Sequence, residues 1–271
     1  LHFTIRYKNF RRKSMYKDTC ENLSNAANSK IKFLESGIGR YFVASALAGI
    51  YVGLGIFLIM TVGGLTKPLG PHFRIFTGIS FGIALSLVIM AGSELFTGNN
   101  MIMAAGLFNK KVSFKNLAKI WTWSYLGNLV GSIIIGALFV YSASYLKPNK
   151  EVGEFIIATT LAKTSVPVIA LIVKGILCNL LICLAVLCHV RMKSKSGKLI
   201  MIWWCLFAFI TSGFEHSIAN MSIFSAALLI PDTTATLVPV IYNLFWVTIG
   251  NIIGGSLLGI AYAYMGREKN S

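Results

Sequence analysis

The stretch SGFEHSIAN (residues 212–220) lies in the middle of an apolar run, and AGSELFTGN (residues 91–99) lies in the middle of an earlier one. The two stretches share a glycine, a glutamate and an asparagine at matching positions. Two copies of one motif at a fixed spacing indicate an internal repeat. Because each copy places a glutamate inside an apolar run, the repeat also constrains the fold that the chain can adopt.

The composition of the chain is that of a membrane protein. Of 271 residues, 55% are hydrophobic and only 13% are charged, about half the roughly 25% of a soluble domain. A water-soluble globular enzyme is therefore excluded. A spanning helix needs roughly 20 apolar residues. The apolar runs predict six spans: 41–65, 74–108, 116–145, 166–190, 199–230 and 236–264.

The repeat continues beyond the two quoted stretches. GNLVG (residues 127–131) matches GNIIG (residues 250–254), so the second and third spans are copied by the fifth and sixth. Three spans per repeat is an odd number, and the two halves therefore have opposite orientations in the membrane, as in many channels and transporters. The sequence predicts an all-α membrane protein built from two inverted three-helix repeats.

The net charge of +16 reflects 25 Lys and Arg against nine Asp and Glu. Membrane topology explains this surplus better than a nucleic-acid partner does, because positive residues concentrate in cytoplasmic loops. Loops 109–115 and 189–198 hold seven of them, whereas the opposite loops hold Lys67, Arg74, Lys147, Lys150 and Lys163. We therefore expect a multi-pass protein of the plasma (inner) membrane with both termini in the cytoplasm.

Three regions follow from this organisation. Residues 1–40 form a basic cytoplasmic segment without the apolar stretch of a signal peptide, residues 41–265 form one six-span domain, and residues 266–271 form a cytoplasmic tail. Within the first region, residues 15–37 predict a partly amphipathic helix along the membrane surface. Met15 is a candidate start, so residues 1–14 are expected to be extraneous and are assigned no function.

The two intramembrane glutamates, Glu94 and Glu215, cannot face lipid, because a charge at the bilayer centre costs roughly 2.5 kcal/mol or more. Gly92 and Gly213 allow the backbone to leave helical geometry beside them. We predict that spans two and five are broken near the midplane, with the positive ends of both second halves directed at the centre. Glu94, Glu215 and Asn99 are interpreted as residues that brace these breaks.

One histidine and two lysines are candidates for function. Of four histidines, only His216 is predicted at membrane depth; it is either packed into a loop or a donor that lines a pore, and an intramembrane ionisable group favours the pore. Lys163, just outside span four, is either an ordinary interfacial lysine or an attractor of anions. Lys174 lies well inside the same apolar run and must snorkel, pair or face water.

Four strings together resemble the signatures of the formate/nitrite transporter family: AGSELFTGN (91–99), KGILCNLLICLAV (174–186), SGFEHSIANM (212–221) and TIGNIIGG (248–255). The resemblance implies an aquaporin-like fold and a homopentamer in the lipid bilayer. Each six-helix protomer would hold its own pore for small monovalent anions of weak acids. Four glycines are expected to permit close packing between protomers: Gly131, Gly136, Gly254 and Gly255.

The resemblance also implies roles for single residues. The central pore histidine of the family corresponds to His216, and its lysine corresponds to Lys163. The outer apolar constriction corresponds to Phe81 and Phe209. The inner apolar constriction corresponds to Leu85, Leu95 and Phe96. The polar neighbours of the histidine correspond to Thr97 and Asn220.

Among the branches of the family, the chain is most similar overall to the hydrosulfide channels of clostridia. This implies a passive channel for hydrosulfide first and for formate and nitrite next. A proton-coupled formate or nitrite transporter remains an alternative, and a neutral-solute channel is disfavoured because the chain has no Asn-Pro-Ala triplet. An ATP-powered pump would need a GxxxxGK[ST] loop, and an enzyme would need a reactive cluster. Neither is present, so no cofactor, metal or catalytic residue is expected.

Overall fold

The computed structural model describes residues 2–146 and 150–267, with side chains from Tyr16 onward, and all regular structure in these residues is helical. The predicted loop residue Lys147 and most of the predicted tail lie outside the described residues. In chain order the α-helices are α1 (His2–Ser36), α2 (Ile38–Thr66), α3 (Phe73–Ser80), α4 (Gly82–Met90), α5 (Phe96–Phe108), α6 (Phe114–Tyr141), α7 (Lys150–Thr164), α8 (Val168–Arg191), α9 (Lys195–Thr211), α10 (Ser217–Leu229) and α11 (Leu237–Gly266).

Within the described residues, four helical stretches are long and apolar enough to cross a membrane: Ile38–Met90, Phe114–Tyr141, Val168–Arg191 and Leu237–Gly266. The first contains α2 together with α3 and α4, which follow it through the 3₁₀ turn Lys67–His72. The second predicted span continues into α5, and the fifth consists of α9 and α10. The prediction of six spans, with the second and fifth broken, is confirmed.

The two halves of the chain repeat the same arrangement. Helix α2 corresponds to α8, the broken span α3–α5 to α9–α10, and α6 to α11. In each half the two long helices pack together, α2 against α6 and α8 against α11. The short half-helices cross over, because α5 packs against α11 and α10 packs against α6. This crossing places both half-helices in the middle of the bundle, as the inverted repeat predicts.

A glycine turns the chain at each break. Gly92 has φ 77° and Gly213 has φ 70°, in the left-handed region that residues with a Cβ rarely adopt. The backbone then runs extended through Leu95 and His216, which are the N-cap residues of α5 and α10. Each break therefore ends one helix and starts another with its N-terminus inside the protein.

Helix α1 packs against protein along one side. Four of its apolar side chains are buried, at the spacing of three to four residues that marks one helix face: Leu23, Ala27, Ile31 and Leu34. This helix packs mainly against α5 and α11. The apolar face that the sequence analysis assigned to the membrane surface is therefore covered by the bundle.

Helix α7 was not predicted, because residues 146–165 were interpreted as a loop between spans three and four. The segment is too short for a span, and its charged residues make it too polar. Val152, Phe155 and Ile156 are nevertheless buried, and the helix packs against α2. Helix α7 precedes the first long helix of its half, in the place that α1 occupies in the other half.

The glycines expected to lie between protomers lie inside one protomer instead. A Cβ on any of the four would collide with its own chain: Gly131 with Ala46, Gly136 with Ser225, Gly254 with Ile176 and Gly255 with Asn179 and Asn100. The expectation was therefore wrong about these contacts. Sequence shows that a helix face is made of small residues, but it does not show which helix covers that face.

Candidate functional site

The two breaks meet at the centre of the bundle. Thr97, in the first turn of α5, places Oγ1 3.0 Å from Nε2 of His216, the N-cap residue of α10. Thr97 is fully buried and His216 is 3% exposed. Because both side chains stand at helix N-termini, the positive ends of two helix dipoles converge on this pair.

The hydrogen bonds of His216 define which nitrogen carries the proton. Nδ1 accepts a hydrogen bond of 3.1 Å from the backbone N–H of Ala219. A ring nitrogen that accepts a hydrogen bond carries no proton, so the neutral ring is protonated on Nε2 and donates to Thr97 Oγ1. The hydroxyl hydrogen of Thr97 is then available to a further acceptor.

Asn128 on α6 holds the first break. Its Nδ2 donates to the carbonyl oxygens of Ser45 (2.7 Å) and Glu94 (2.9 Å), and its Oδ1 accepts from the N–H of Phe96 (2.9 Å). The side chain is fully buried. One amide therefore satisfies backbone groups that the broken helix leaves without partners.

Asn251 on α11 holds the second break in the same way. Its Nδ2 donates to the carbonyl oxygens of Gly175 (2.9 Å) and Glu215 (3.0 Å), and its Oδ1 accepts from the N–H of Ser217 (2.9 Å). GNLVG and GNIIG indicated the repeat in the sequence, but the role of their asparagines was not predicted. A polar residue that recurs within apolar repeats was the available signal.

Glu94, in the first break, pairs with a lysine from α1. Its oxygens accept from Lys30 Nζ at 2.7 and 2.9 Å, from the hydroxyl of Tyr41 at 3.0 Å and from Asn99 Nδ2 at 3.2 Å. The side chains of Lys30 and Glu94 are 16% and 13% exposed. The carboxylate therefore has a cation and two neutral donors around it.

Glu215, in the second break, pairs with Lys163 on α7, at 2.9 and 3.0 Å. Asn220 Nδ2 donates to Glu215 at 2.6 Å and to Asn243 Oδ1 at 2.9 Å, and Asn243 Nδ2 donates to the carbonyl of Lys163 at 2.8 Å. The charge of Lys163 is thus balanced locally, and this ion pair was not predicted from the sequence. Asn243 was missed because nothing in its sequence context marks it.

A cavity of about 370 Å³ leads to His216 from the side of α3 and α7; we call it the vestibule. Its lining includes His216, Asn220 and Phe209. Four basic side chains also line it: Lys67, Arg74, Lys163 and Lys174. Among the lining residues, Glu215 is the one acidic side chain. Lys174 therefore faces a cavity, which was one of the three alternatives open to it. Its positive charge is added to a vestibule that is already basic.

Aromatic rings pack next to His216, where Phe209 lines the vestibule. Phe81 and Phe209 contact edge to face, with ring centroids 5.5 Å apart, and Phe209 stacks on the ring of His216 at 6.1 Å. The three residues matched to the inner constriction are buried in the same apolar cluster: Leu85, Leu95 and Phe96. The structure thus brings Phe81, Phe209 and His216 together, whereas the ring of Phe96 packs edge to face against Tyr125 of α6 at 5.0 Å.

The family model described as "Formate/nitrite transporter" matches residues 17–265. The chain belongs to the formate/nitrite transporter family. It is 42% identical over 260 residues to the nitrite transporter NirC of Escherichia coli (strain K12), a match that covers 94% of each chain. It is a multi-pass membrane protein of this family, and its named relatives are transporters and channels rather than enzymes, as predicted.

Solved structures of the formate/nitrite transporter family have the same fold. One, an FNT family ion channel, aligns with a TM-score of 0.85 and 39% identity over 91% of this chain and 98% of that chain. Another, a pentameric formate channel with formate bound, aligns with a TM-score of 0.73 and 26% identity over 82% and 94%. The predicted aquaporin-like channel fold is confirmed.

Proposed function

We propose that this protein is a passive membrane channel for small monovalent anions of weak acids. Membership of the formate/nitrite transporter family supports the substrate class. The observation that carries the proposal is the buried Thr97–His216 pair at the inner end of a basic vestibule. A donor pair at the meeting point of two helix N-termini is suited to a small anion or its conjugate acid.

Anions would first collect in the vestibule. Lys163 contributes little net charge there, because Glu215 binds it at 2.9 Å. The attraction would come chiefly from Lys67, Arg74 and Lys174, since like charges around a low-dielectric cavity raise the local concentration of counter-ions. From the sequence, Lys163 was predicted to attract the anion. Because Glu215 neutralises Lys163, we assign most of this attraction to the neighbouring cations.

The anion would then lose water as it passes Phe81 and Phe209. Loss of water disfavours the charged form of an acid, so the anion would take up a proton from the water of the vestibule and continue as a neutral molecule. Leu85, Leu95 and Phe96 would form the apolar constriction on the other side of the Thr97–His216 pair. Asn220 would act through Glu215, which it holds at 2.6 Å.

His216 would act as a hydrogen-bond donor through Thr97 and would not have to give up a proton. Protonation of Nδ1 would displace the N–H of Ala219 from the ring. The helix N-terminus would then lose its cap, which costs about 1 kcal/mol. The passing molecule would therefore accept a hydrogen bond from the Thr97 hydroxyl, while the N–H at Nε2 of His216 donates to the oxygen of that hydroxyl.

A neutral acid that crosses the bundle carries its proton with it, so net flux would follow both the anion gradient and the pH gradient. This behaviour needs no alternating conformations. A proton-coupled transporter of formate or nitrite is the alternative, and it would show saturation and exchange of one anion for another. The rigid bracing of both breaks by Asn128 and Asn251 supports the channel.

Three anions are candidate substrates. The nitrite transporter NirC supports nitrite, and the formate-bound channel supports formate. Hydrosulfide rests on the overall similarity of the sequence to clostridial hydrosulfide channels, and we keep it as the third candidate. The pentameric formate channel supports a homopentamer. We further propose residues 41–265 as the channel domain and, from the positive residues of loops 109–115 and 189–198, a plasma-membrane protein with both termini in the cytoplasm.

Flux into proteoliposomes tests the proposal. Vesicles that contain a pH-sensitive dye would receive nitrite, formate or hydrosulfide. Glycerol is the neutral control, with its entry followed by light scattering as the vesicles swell, and protein-free vesicles are the blank. We expect at least one anion to enter faster than in the blank without saturation, and glycerol not to. Glycerol entry alone, or saturable exchange of anions, would overturn the channel. Native mass spectrometry in mild detergent would give a mass of five chains.

A further inference from the structure

A second cavity, of about 510 Å³, shares no lining residue with the vestibule; we call it the basic pocket. It opens between α1, the turn that follows α5, and the end of α11. The lining contains three basic side chains and one acidic side chain: Lys17, Lys111, Arg267 and Glu21, besides Cys20, Ser24, Asn25, Asn109 and Gly266. Its volume is within the range of small-molecule sites.

Hydrogen-bonding groups form the floor of the basic pocket. Asn109 Nδ2 donates to Ser24 Oγ and to Cys20 Sγ, both at 3.0 Å, and Ser24 is 5% exposed. Because Ser24 Oγ accepts this bond, its own hydroxyl hydrogen is free to donate, and no acceptor for it occurs among the described residues. A buried donor without an acceptor is a group that a ligand oxygen would satisfy.

The walls of the basic pocket are fixed by close packing. A Cβ at Gly266 would collide with the carbonyl oxygen of Tyr16 and with Cys20, so the end of α11 lies directly against α1. Arg267 follows at once, with its guanidinium 5.9 Å from the ring centre of Phe108 on α5. The basic groups therefore come from three elements whose backbones are held together.

We propose that the basic pocket binds a phosphoryl group, with Lys111 and Arg267 as its cationic contacts and Ser24 as the donor at its floor. Lysine and arginine around a polar hollow are the usual recognition elements for phosphate oxygens. Scattered lysines that only set topology would not enclose a cavity with an unsatisfied donor. Basic pockets at the ends of membrane helices take lipid head groups in the same way, so the phosphoryl group comes from a lipid or from a soluble phosphate ester.

Two probes distinguish these sources. In the first arm, native mass spectrometry of the whole protein would count phosphatidic acid molecules retained from mixed micelles, with phosphatidylcholine as the reference lipid. In the second arm, glycerol 3-phosphate would be titrated in neutral detergent while the unfolding temperature is recorded, because a ligand that binds the folded state raises it. Sodium chloride at equal ionic strength is the blank.

The test compares two double variants with the same change in charge. Lys111→Ala/Arg267→Ala removes the proposed contacts, and Lys115→Ala/Lys119→Ala removes two exposed cations of α6 outside the basic pocket. We expect the first to weaken binding of one probe by about tenfold or more, the effect of losing a charge-assisted hydrogen bond, and the control to stay within about twofold. Ser24→Ala should weaken the same probe about threefold or more.

Retention of phosphatidic acid alone identifies a lipid site, and a shift with glycerol 3-phosphate identifies a soluble ester; either result supports the proposal. Anion flux should be equal in the two double variants, and this result would show that both are folded. The proposal would be overturned if neither probe bound saturably, or if both double variants lost binding of the probe equally.

Discussion

The two breaks share one scaffold but differ at the N-cap residue of the second half-helix. In both, a glycine with positive φ ends the first half-helix, a glutamate follows two residues later, and an asparagine from the last long helix of the repeat accepts from the new helix N-terminus. The next residue after the glutamate is Leu95 in one break and His216 in the other. Both are N-cap residues with extended backbone.

This difference shows where a duplicated fold places its chemistry. The groups that satisfy the backbone are needed twice, because each break exposes the same N–H and C=O groups to an apolar interior. The N-cap side chain is needed only once at the centre, where His216 reaches Thr97 of the opposite repeat. At the N-cap position, one repeat supplies His216 and the other supplies the apolar Leu95.

The largest expected effect comes from the scaffold. Asn128→Leu and Asn251→Leu each remove three hydrogen bonds from a fully buried side chain. Each should lower the free energy of unfolding by about 3 kcal/mol or more, since every buried group left unsatisfied costs about 1–3 kcal/mol. Thermal unfolding in detergent measures this loss, with Asn116→Leu on the surface of α6 as control. If one break tolerated the change and the other did not, the scaffolds would not be equivalent.

Much of this scaffold could be predicted from the sequence. The repeated motifs predicted both breaks. Glu94 and Glu215 predicted the positions of the breaks, because a charged side chain within an apolar run cannot face lipid. Lys30 was not predicted as a partner, since ion pairing depends on how α1 folds back onto the bundle. Helix α7 was missed because its apolar residues are interrupted by charged residues such as Glu151 and Glu154, which are exposed.

The ion pairs should produce a smaller effect than the asparagines. Lys30→Met and Lys163→Met each leave a carboxylate without its cation, and we expect each to cost about 1–3 kcal/mol, less than a fully buried pair because water reaches both lysines. Lys30→Met/Glu94→Gln should recover most of that loss, as should Lys163→Met/Glu215→Gln. Chemical or thermal unfolding checks both cycles. Double variants as unstable as the single ones would show that the pairing itself contributes nothing.

The smallest expected effect is the loss of anion flux when Lys174, a vestibule lysine without a carboxylate partner among the described residues, is neutralised. Lys174→Gln should lower anion flux by about two- to threefold at low ionic strength, and the difference should vanish near 1 M salt, where the screening length falls to about 3 Å. Lys115→Gln, on the other side of the bundle, should have no effect on entry from the vestibule. Flux that is insensitive to Lys174 at low salt would show that Lys174 does not attract the anion and would leave that task to Lys67 and Arg74.

The most direct test of the central claim compares His216→Asn with His216→Leu. Asparagine caps a helix well and keeps a hydrogen-bond donor that does not titrate, whereas leucine makes the second break identical to the first at this position. Flux of nitrite and formate would be measured in proteoliposomes from pH 5 to 8, the range in which histidine changes charge. We predict that His216→Asn keeps about a tenth or more of the flux with an unchanged pH profile, and that His216→Leu falls to about a hundredth, as expected for loss of a hydrogen bond to a charged group. Wild-type flux in His216→Leu, or a loss in His216→Asn as complete as in His216→Leu, would contradict the account.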